Sequence, residues 1–262
     1  MRSKNNKIFL LLFFLVFIAK INGQQENVKV GIDEKLGEQF PLEILFNDEE
    51  GNIIQLKDII SKPTILMFVY YECPGICNPL MSEVASLVNK VDLIPGVDYQ
   101  IVSISFDQLE TSELANRKKK AFLNAIKKRI DPASWRFLTG DSTNIRKATD
   151  AVGFYFKREG KDFLHAGALI FLAPDGKITR YLPGTTFLPF DIKMAIIEAS
   201  EGKVTPTIAK MLKFCFSYDA EGKKYALNVT RIAASITILF ALVYVIFISI
   251  KPRHKEKINK GE

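Results

Sequence analysis

Residues 63–80 read PTILMFVYYECPGICNPL, and this segment determines the class of fold that the chain adopts. Its first nine residues form a continuous apolar run rich in β-branched and aromatic side chains, which predicts a strand buried on both faces. Apolar residues then recur at helical spacing from Leu80 onward, and Pro79 stands where the first turn of a helix accepts proline. The segment therefore predicts a buried strand, a loop that contains Cys73 and Cys77, and a helix.

Strands and helices alternate on both sides of this segment. The predicted elements are, in chain order, a hairpin of the runs 42–46 and 52–56 around a turn at 47–51, a buried strand at 99–106, an amphipathic helix from Thr111 to Lys128, a short strand at 135–138, a helix at 143–152 capped by Asp141 and Ser142, a hairpin at 167–181 and a final helix at 191–199. This order predicts an α/β domain with a mixed central sheet and β-hairpin additions.

The net charge of +7 belongs to the two ends of the chain. Residues 1–23 carry four basic side chains and no acid, and residues 251–262 carry five basic side chains against two acids. Residues 24–250 are therefore neutral, with 27 basic and 27 acidic side chains. Because no net basic body remains to neutralise phosphates, binding of nucleic acid is not expected.

Both ends are typical of an exported, membrane-anchored chain. Residues 1–23 combine a basic start, a 12-residue apolar run and a small residue at Gly23, which predicts a cleaved signal peptide. An uncleaved short anchor is the alternative. Residues 232–250 contain no charge over 19 positions and predict one transmembrane helix, and the basic tail 251–262 is expected to stay in the cytoplasm.

This topology is expected to place residues 24–230 outside the cytoplasm, held by a single span. Residues 24–38 are polar and are interpreted as a linker, residues 39–202 as the folded domain, and residues 203–231 as a juxtamembrane extension. Cys215 lies in that extension between two phenylalanines, and we interpret it as a buried or membrane-proximal thiol rather than a ligand.

Three explanations are open for Cys73 and Cys77, which are separated by three residues at a strand-to-helix junction. They could form a structural disulfide, a redox-active dithiol or a site for a soft metal ion. A helix N-terminus stabilises a thiolate, so a lowered thiol pKa is expected there. Two thiolates suit Cu(I), and an added imidazole suits Cu(II). The chain has two histidines; His254 lies in the predicted cytoplasmic tail, and His165 precedes the hairpin 167–181. A lone histidine is more often a surface or core residue than a ligand, so its role stays open.

Four motifs together resemble the Sco/SenC family, over about residues 39–200. They are FVYYECPGICNPLM, SISFDQLE, WRFLTGD, and His165 just before GALIFLAPDGKITRYLPG. The resemblance implies a membrane-tethered copper protein with a thioredoxin-like fold that helps to assemble cytochrome c oxidase. It implies that Cys73, Cys77 and His165 bind copper, as Cu(I) or Cu(II). It further implies that Asp107 supports the site or recognises a partner without binding the metal.

The resemblance predicts a metallochaperone rather than an enzyme. It would deliver copper to the dinuclear copper centre of cytochrome c oxidase subunit II, or exchange it with other copper-assembly factors. The alternative is a periplasmic thiol–disulfide oxidoreductase in which the Cys73–Cys77 disulfide cycles without metal. Two features depart from the usual family pattern: Gly75 follows Cys-Pro in the loop, and the predicted anchor is at the C-terminus.

Overall fold

The computed structural model describes residues 30–206, 216–219 and 224–227, together with the single residues 240, 243 and 244. No helix in these parts of the chain is both long enough and apolar enough to cross a membrane. The predicted signal peptide, the tail 251–262, Cys215 and all but three residues of the predicted span 232–250 lie outside the described residues.

Strands and helices alternate in the middle of the domain, from residue 53 to residue 155, whereas strands follow one another directly before and after it. In chain order they are β1 (Gly31–Ile32), β2 (Leu45–Asn47), β3 (Ile53–Gln55), α1 (Leu56–Ile59), β4 (Thr64–Val69), α2 (Cys77–Lys90), β5 (Gln100–Ser105), α3 (Ser112–Asn124), β6 (Trp135–Leu138), α4 (Ser142–Ala151), β7 (Phe154–Tyr155), β8 (Lys157–Glu159), β9 (Asp162–Leu164), β10 (Ala168–Leu172), β11 (Ile178–Pro183), α5 (Pro189–Ser200), β12 (Phe216–Asp219) and β13 (Lys224–Leu227). The chain divides into two units, 1–203 and 204–262, and in the second unit β12 pairs with β13 as an antiparallel hairpin.

The central sheet has five strands in the order β11-β10-β4-β5-β6. β4, β5 and β6 are parallel, whereas β10 is antiparallel to β4 and β11 is antiparallel to β10. All six residues of β4 are buried, because the strand lies in the middle of the sheet. The predicted α/β class with a mixed central sheet is confirmed, and the loop with both cysteines leaves the carboxyl end of its middle strand.

The predicted hairpins are present. β2 pairs with β3 around the turn at 48–52, and β10 pairs with β11 around the turn at Gly176, whose φ of 88° favours glycine. The structure adds a hairpin that was not predicted, in which β8 pairs with β9. Its first strand, Lys157–Glu159, is charged and exposed, so it has no apolar alternation by which the sequence would reveal it.

The interpretation of residues 24–38 as a linker is wrong from residue 31 onward. β1 pairs with β7, and the backbone N–H of Asp33 donates to the carbonyl oxygen of Gly153 at 2.8 Å. A Cβ at position 153 would lie 2.0 Å from the carbonyl oxygen of Asp33, so this close approach requires glycine. The segment is held by backbone hydrogen bonds, which a polar sequence pattern does not reveal.

The predicted helix from Thr111 to Lys128 is also too long. α3 begins after Thr111, whose hydroxyl caps it, but ends at Asn124. The side-chain oxygen of Asn89 then accepts hydrogen bonds from the backbone N–H groups of Lys127 and Lys128, at 2.7 and 3.3 Å. This side chain on α2 captures donors that a longer helix would have bonded internally.

Candidate metal centre

The two cysteines stand at opposite ends of a tight loop. β4 ends at Val69, and the backbone N–H of Cys73 donates to the carbonyl oxygen of Tyr70 at 3.3 Å, which turns the chain out of the sheet. Cys77 is the first residue of α2. Both thiols are free and buried, whereas the three residues between them are exposed. Two buried thiols are therefore joined by a short loop segment that is exposed to solvent.

The hairpin β8–β9 brings the third donor to this loop. β9 ends at Leu164, and the next residue places the Nε2 atom of His165 3.5 Å from the Sγ atom of Cys77. Its Nδ1 atom lies 3.0 Å from the carbonyl oxygen of Ala166. That oxygen can only accept, so Nδ1 carries the proton in the neutral ring and Nε2 keeps its lone pair toward the thiol.

Aromatic rings fix the orientation of the half-buried imidazole. The ring centroid of His165 lies 5.0 Å from that of Phe106, 5.8 Å from that of Tyr70 and 6.3 Å from that of Phe154. Burial lowers the pKa of His165 below its usual range, although the hydrogen bond with Ala166 acts in the opposite direction. The imidazole is therefore kept neutral near pH 7, which is the form that binds a metal ion.

One donor atom from each of Cys73, Cys77 and His165 lies within 4.8 Å of the other two. In the described part of the chain, this is the only group of three or more histidine, cysteine or acidic side chains spaced to hold an ion. Ligands about 2.0–2.3 Å from a shared ion stand up to about 4.6 Å apart. The spacing of the three atoms is thus close to that of a single coordination shell, and two sulfurs with one nitrogen form a soft donor set.

The expectation of a lowered thiol pKa is wrong for Cys77. Burial raises the pKa of this thiol far above its usual value; a hydrogen bond with the backbone of Tyr70 opposes the rise, and Cys73 and the charge of Glu110 add to it. Desolvation outweighs the effect of the helix N-terminus because the sulfur has no access to water. Without a cation the thiol stays protonated, whereas a bound metal ion deprotonates a coordinating thiol.

Asp107 lies outside the group of three donors. Its Oδ1 atom is 2.6 Å from the Nη2 atom of Arg158 on β8 and accepts a hydrogen bond from the backbone N–H of Leu109 at 3.1 Å. The guanidinium of Arg158 in turn lies 4.2 Å from the ring centroid of Phe163 on β9. Asp107 thus ties the end of β5 to the hairpin that carries His165.

Three residues around the site were missed by the sequence analysis. The Tyr70 hydroxyl lies 3.4 Å from the Oδ1 atom of Asp162, and the Nδ2 atom of Asn78 donates to the carbonyl oxygen of Cys73 at 3.0 Å. Glu110 accepts hydrogen bonds from the residues that precede Cys73. Each contact depends on the folded path of the chain. The only signal in the sequence was membership of the quoted motifs, because Tyr70 and Asn78 lie in FVYYECPGICNPLM and Glu110 lies in SISFDQLE.

Comparison with known proteins gives a consistent result. The family model described as SCO1/SenC matches residues 33–199. A SCO1 protein homolog of Bacillus subtilis (strain 168) is 25% identical over 150 residues, which cover 56% of this chain and 75% of the relative.

Solved structures also resemble the chain. A protein of Aquifex aeolicus VF5, described as an electron transfer protein, is 28% identical with a TM-score of 0.58, covering 64% of this chain and 96% of that one. A SCO1/SenC family lipoprotein from Bacillus anthracis str. Ames is 21% identical with a TM-score of 0.52, covering 64% and 99% respectively, and this likeness shows the fold alone.

Proposed function

Because this chain belongs to the SCO1/SenC family, we propose that it is a copper chaperone that binds one copper ion through Cys73, Cys77 and His165. The observation that carries the proposal is the convergence of two thiol sulfurs and one imidazole nitrogen within 4.8 Å. Thiolates suit soft ions such as Cu(I), and the nitrogen donor provides for Cu(II). Copper is the cargo of the protein, so the site must both hold it and release it.

The chain's own groups prepare the site for this cargo. The lone pair of His165 Nε2 faces Cys77 because Ala166 fixes the tautomer of the ring. Binding of copper releases the thiol protons, and the bound cation offsets the burial that raises the pKa of the Cys77 thiol. The segment Pro74–Ile76 is exposed above the buried sulfurs. An acceptor would therefore approach over this segment and exchange its own thiolates for those of the donor one at a time.

The acceptor that we propose is the dinuclear copper centre of cytochrome c oxidase subunit II, or another copper-assembly factor. The proposal rests on membership of the family and on the softness of the donor set. A donor anchored in the same membrane as its acceptor gains a high effective concentration. The function therefore fits a single-pass protein of the bacterial inner membrane with its domain in the periplasm.

The proposed topology can be tested with reporter fusions. We expect a fusion after Glu262 to be cytoplasmic and a fusion near Gly202 to be periplasmic, because the uncharged run 232–250 separates these positions and a basic tail follows it. Activity of alkaline phosphatase and of β-galactosidase at each position measures the side. Both fusions on one side of the membrane would contradict the assignment.

A second candidate is thiol–disulfide exchange by the Cys73–Cys77 pair. It is favoured by the two free thiols, which stand one loop apart beside the N-terminus of α2. The raised pKa of the Cys77 thiol weighs against it, because the thiolate is the attacking species in exchange. Cys73 is also buried, so a substrate disulfide would need the loop to open.

Titration with copper tests the proposed function. The full chain, reduced and kept without oxygen, is expected to bind one equivalent of Cu(I) and, separately, one equivalent of Cu(II). The Cu(II) complex should show a sulfur-to-copper charge-transfer absorption, since a thiolate is a ligand. Failure to bind either ion in competition with a weak copper chelator would leave thiol–disulfide exchange as the function.

A further inference from the structure

The half-buried carboxylate of Glu110 accepts three hydrogen bonds beside the cysteine loop. Its Oε2 atom accepts from the backbone N–H of Tyr71 at 2.7 Å and from the hydroxyl of Ser105 at 2.5 Å. Its Oε1 atom accepts from the backbone N–H of Glu72 at 2.8 Å. Glu110 thus binds two consecutive backbone donors, the second of which belongs to the residue just before Cys73.

The hydrogen bonds that Glu110 accepts from the backbone begin just beyond the end of the pairing between β4 and β5. The pairing of β4 with β5 ends at Val69 and Ser105, and the backbone N–H of Phe106 donates the last interstrand bond to the carbonyl oxygen of Val69. The backbone donors of Tyr71 and Glu72 have no strand beside them, and the two oxygens of Glu110 take the place of one. The backbone between the end of β4 and Cys73 is in this way held by hydrogen bonds, although it is no longer part of the sheet.

Cys73 is held from its other side as well. The Nδ2 atom of Asn78, on the first turn of α2, donates to the carbonyl oxygen of Cys73 at 3.0 Å, and the Nζ atom of Lys118 lies 3.3 Å from the Oδ1 atom of Asn78. Residues 74–76 of the loop, which follow Cys73, are exposed. The backbone N–H of Gly75 donates to the Sγ atom of Cys73 at 3.3 Å. The hydrogen bonds on both sides of Cys73 therefore determine where its sulfur stands relative to Cys77 and His165.

We propose that Glu110 is a positioning residue of the metal centre: by holding the backbone of Tyr71 and Glu72, it sets the position of the Cys73 thiol. The metal-binding consequence rests on the proposed function, whereas the effect on the geometry of the thiol pair does not. The role requires a carboxylate, because both oxygens accept from backbone donors. In a glutamine the amide nitrogen would face one of the two backbone N–H groups and leave it without an acceptor.

The surroundings of Glu110 disfavour the charged form of its carboxyl group. Burial raises the pKa of this carboxyl group above its usual range, and the charge of Asp107 adds to the rise, although the hydrogen bonds from Ser105, Tyr71 and Glu72 oppose it. A carboxylate that is partly removed from water needs such donors to remain in place.

The test compares Glu110→Gln with a matched control in the full chain. Asp141→Asn is the control, because Asp141 also accepts two backbone hydrogen bonds, from Thr143 and Asn144 at 2.8 and 3.0 Å, but does so at the start of α4. Three quantities are measured: the melting temperature, the Cu(II) affinity with its charge-transfer spectrum, and the ratio of oxidised to reduced dithiothreitol at which half of the Cys73–Cys77 pair is a disulfide. In that exchange the disulfide of oxidised dithiothreitol accepts the two electrons and two protons that leave the thiols, and reduced dithiothreitol is released.

We expect Glu110→Gln to lower the Cu(II) affinity about tenfold, as loss of a group that orients ligands does in other metal sites. Its charge-transfer band should shift, and its dithiothreitol midpoint ratio should change at least about threefold. Asp141→Asn should leave both site readouts at wild-type values. Should Glu110→Gln not fold, Glu110→Asp takes its place, since one methylene less prevents its two oxygens from reaching both backbone donors.

Two results would overturn the positioning role. One is a Glu110 variant with wild-type copper affinity, spectrum and dithiothreitol midpoint. The other is an equal change of these site readouts in Asp141→Asn, which would assign the effect to general destabilisation. A wild-type chain that binds no copper would instead refute the proposed function, and the dithiothreitol midpoint would then decide the role of Glu110 by itself.

Discussion

Replacing either Cys73 or Cys77 with serine is expected to lower the Cu(I) affinity of the full chain by more than about 100-fold, because even groups that only orient a ligand contribute about 10–100-fold. A serine hydroxyl presents a hard oxygen in place of a soft thiolate and does not replace it for Cu(I). With one sulfur gone, the donor set is reduced to a thiolate and the imidazole of His165. Competition against a chromogenic Cu(I) chelator under anaerobic conditions measures the loss.

The chain provides its own control for these variants. Cys215→Ser removes the remaining cysteine, which we interpret as a thiol without a part in the site, and it should leave both stoichiometry and affinity unchanged. The double variant Cys73→Ser/Cys77→Ser should bind no copper tightly. Retention of one tightly bound copper ion by that double variant would show that the metal is held elsewhere and would refute the site.

The predictable part of the fold is the part with strong apolar patterns. The run from Pro63 to Tyr71 contains β4, because a short continuous run of apolar and β-branched residues suits a strand buried on both faces in the middle of a sheet. The same pattern located β5 and the strands of the hairpin β10–β11. The position of the cysteine loop followed directly, since it is bounded by β4 and α2.

The remainder depends on contacts that the sequence does not display. Strand β8 consists of three exposed charged residues, and its place in the fold comes from pairing with β9 and from the ion pair between Arg158 and Asp107. This hairpin nevertheless delivers His165 to the cysteines. The sequence alone left the role of that histidine open, because a histidine 88 positions away from Cys77 has no local signature as its neighbour.

The pKa of the Cys77 thiol was not predictable from the sequence for a different reason. A helix N-terminus favours a thiolate by a local interaction that can be anticipated from sequence. Its effect on Cys77 is outweighed by burial, which depends on the packing of α2 against the rest of the domain. The network around Glu110 is hidden for the same reason: Tyr71 and Glu110 are 39 positions apart in the chain.

His165→Ala is expected to separate the two oxidation states of copper. Two thiolates alone hold Cu(I), which tolerates a low coordination number, whereas Cu(II) prefers a further nitrogen donor. We expect the variant to keep its Cu(I) affinity within about threefold and to lose about 100-fold in Cu(II) affinity, at the upper end of the range for groups that act on a metal site. Parallel titrations with the two ions measure the difference, and His254→Ala, in the predicted cytoplasmic tail, is the matched control.

The same variant distinguishes a copper chaperone from a thiol–disulfide oxidoreductase in the cell. A strain that lacks this protein is complemented with the wild type, His165→Ala or Cys73→Ser, and oxidase activity is scored in medium poor in copper. The chaperone requires all three ligands, so both variants should fail, and added copper should restore activity in part. Exchange between sulfurs has no need of the imidazole, since its ring takes no part in the transfer of a disulfide. Full complementation by His165→Ala together with failure of Cys73→Ser would therefore assign the protein to thiol–disulfide exchange.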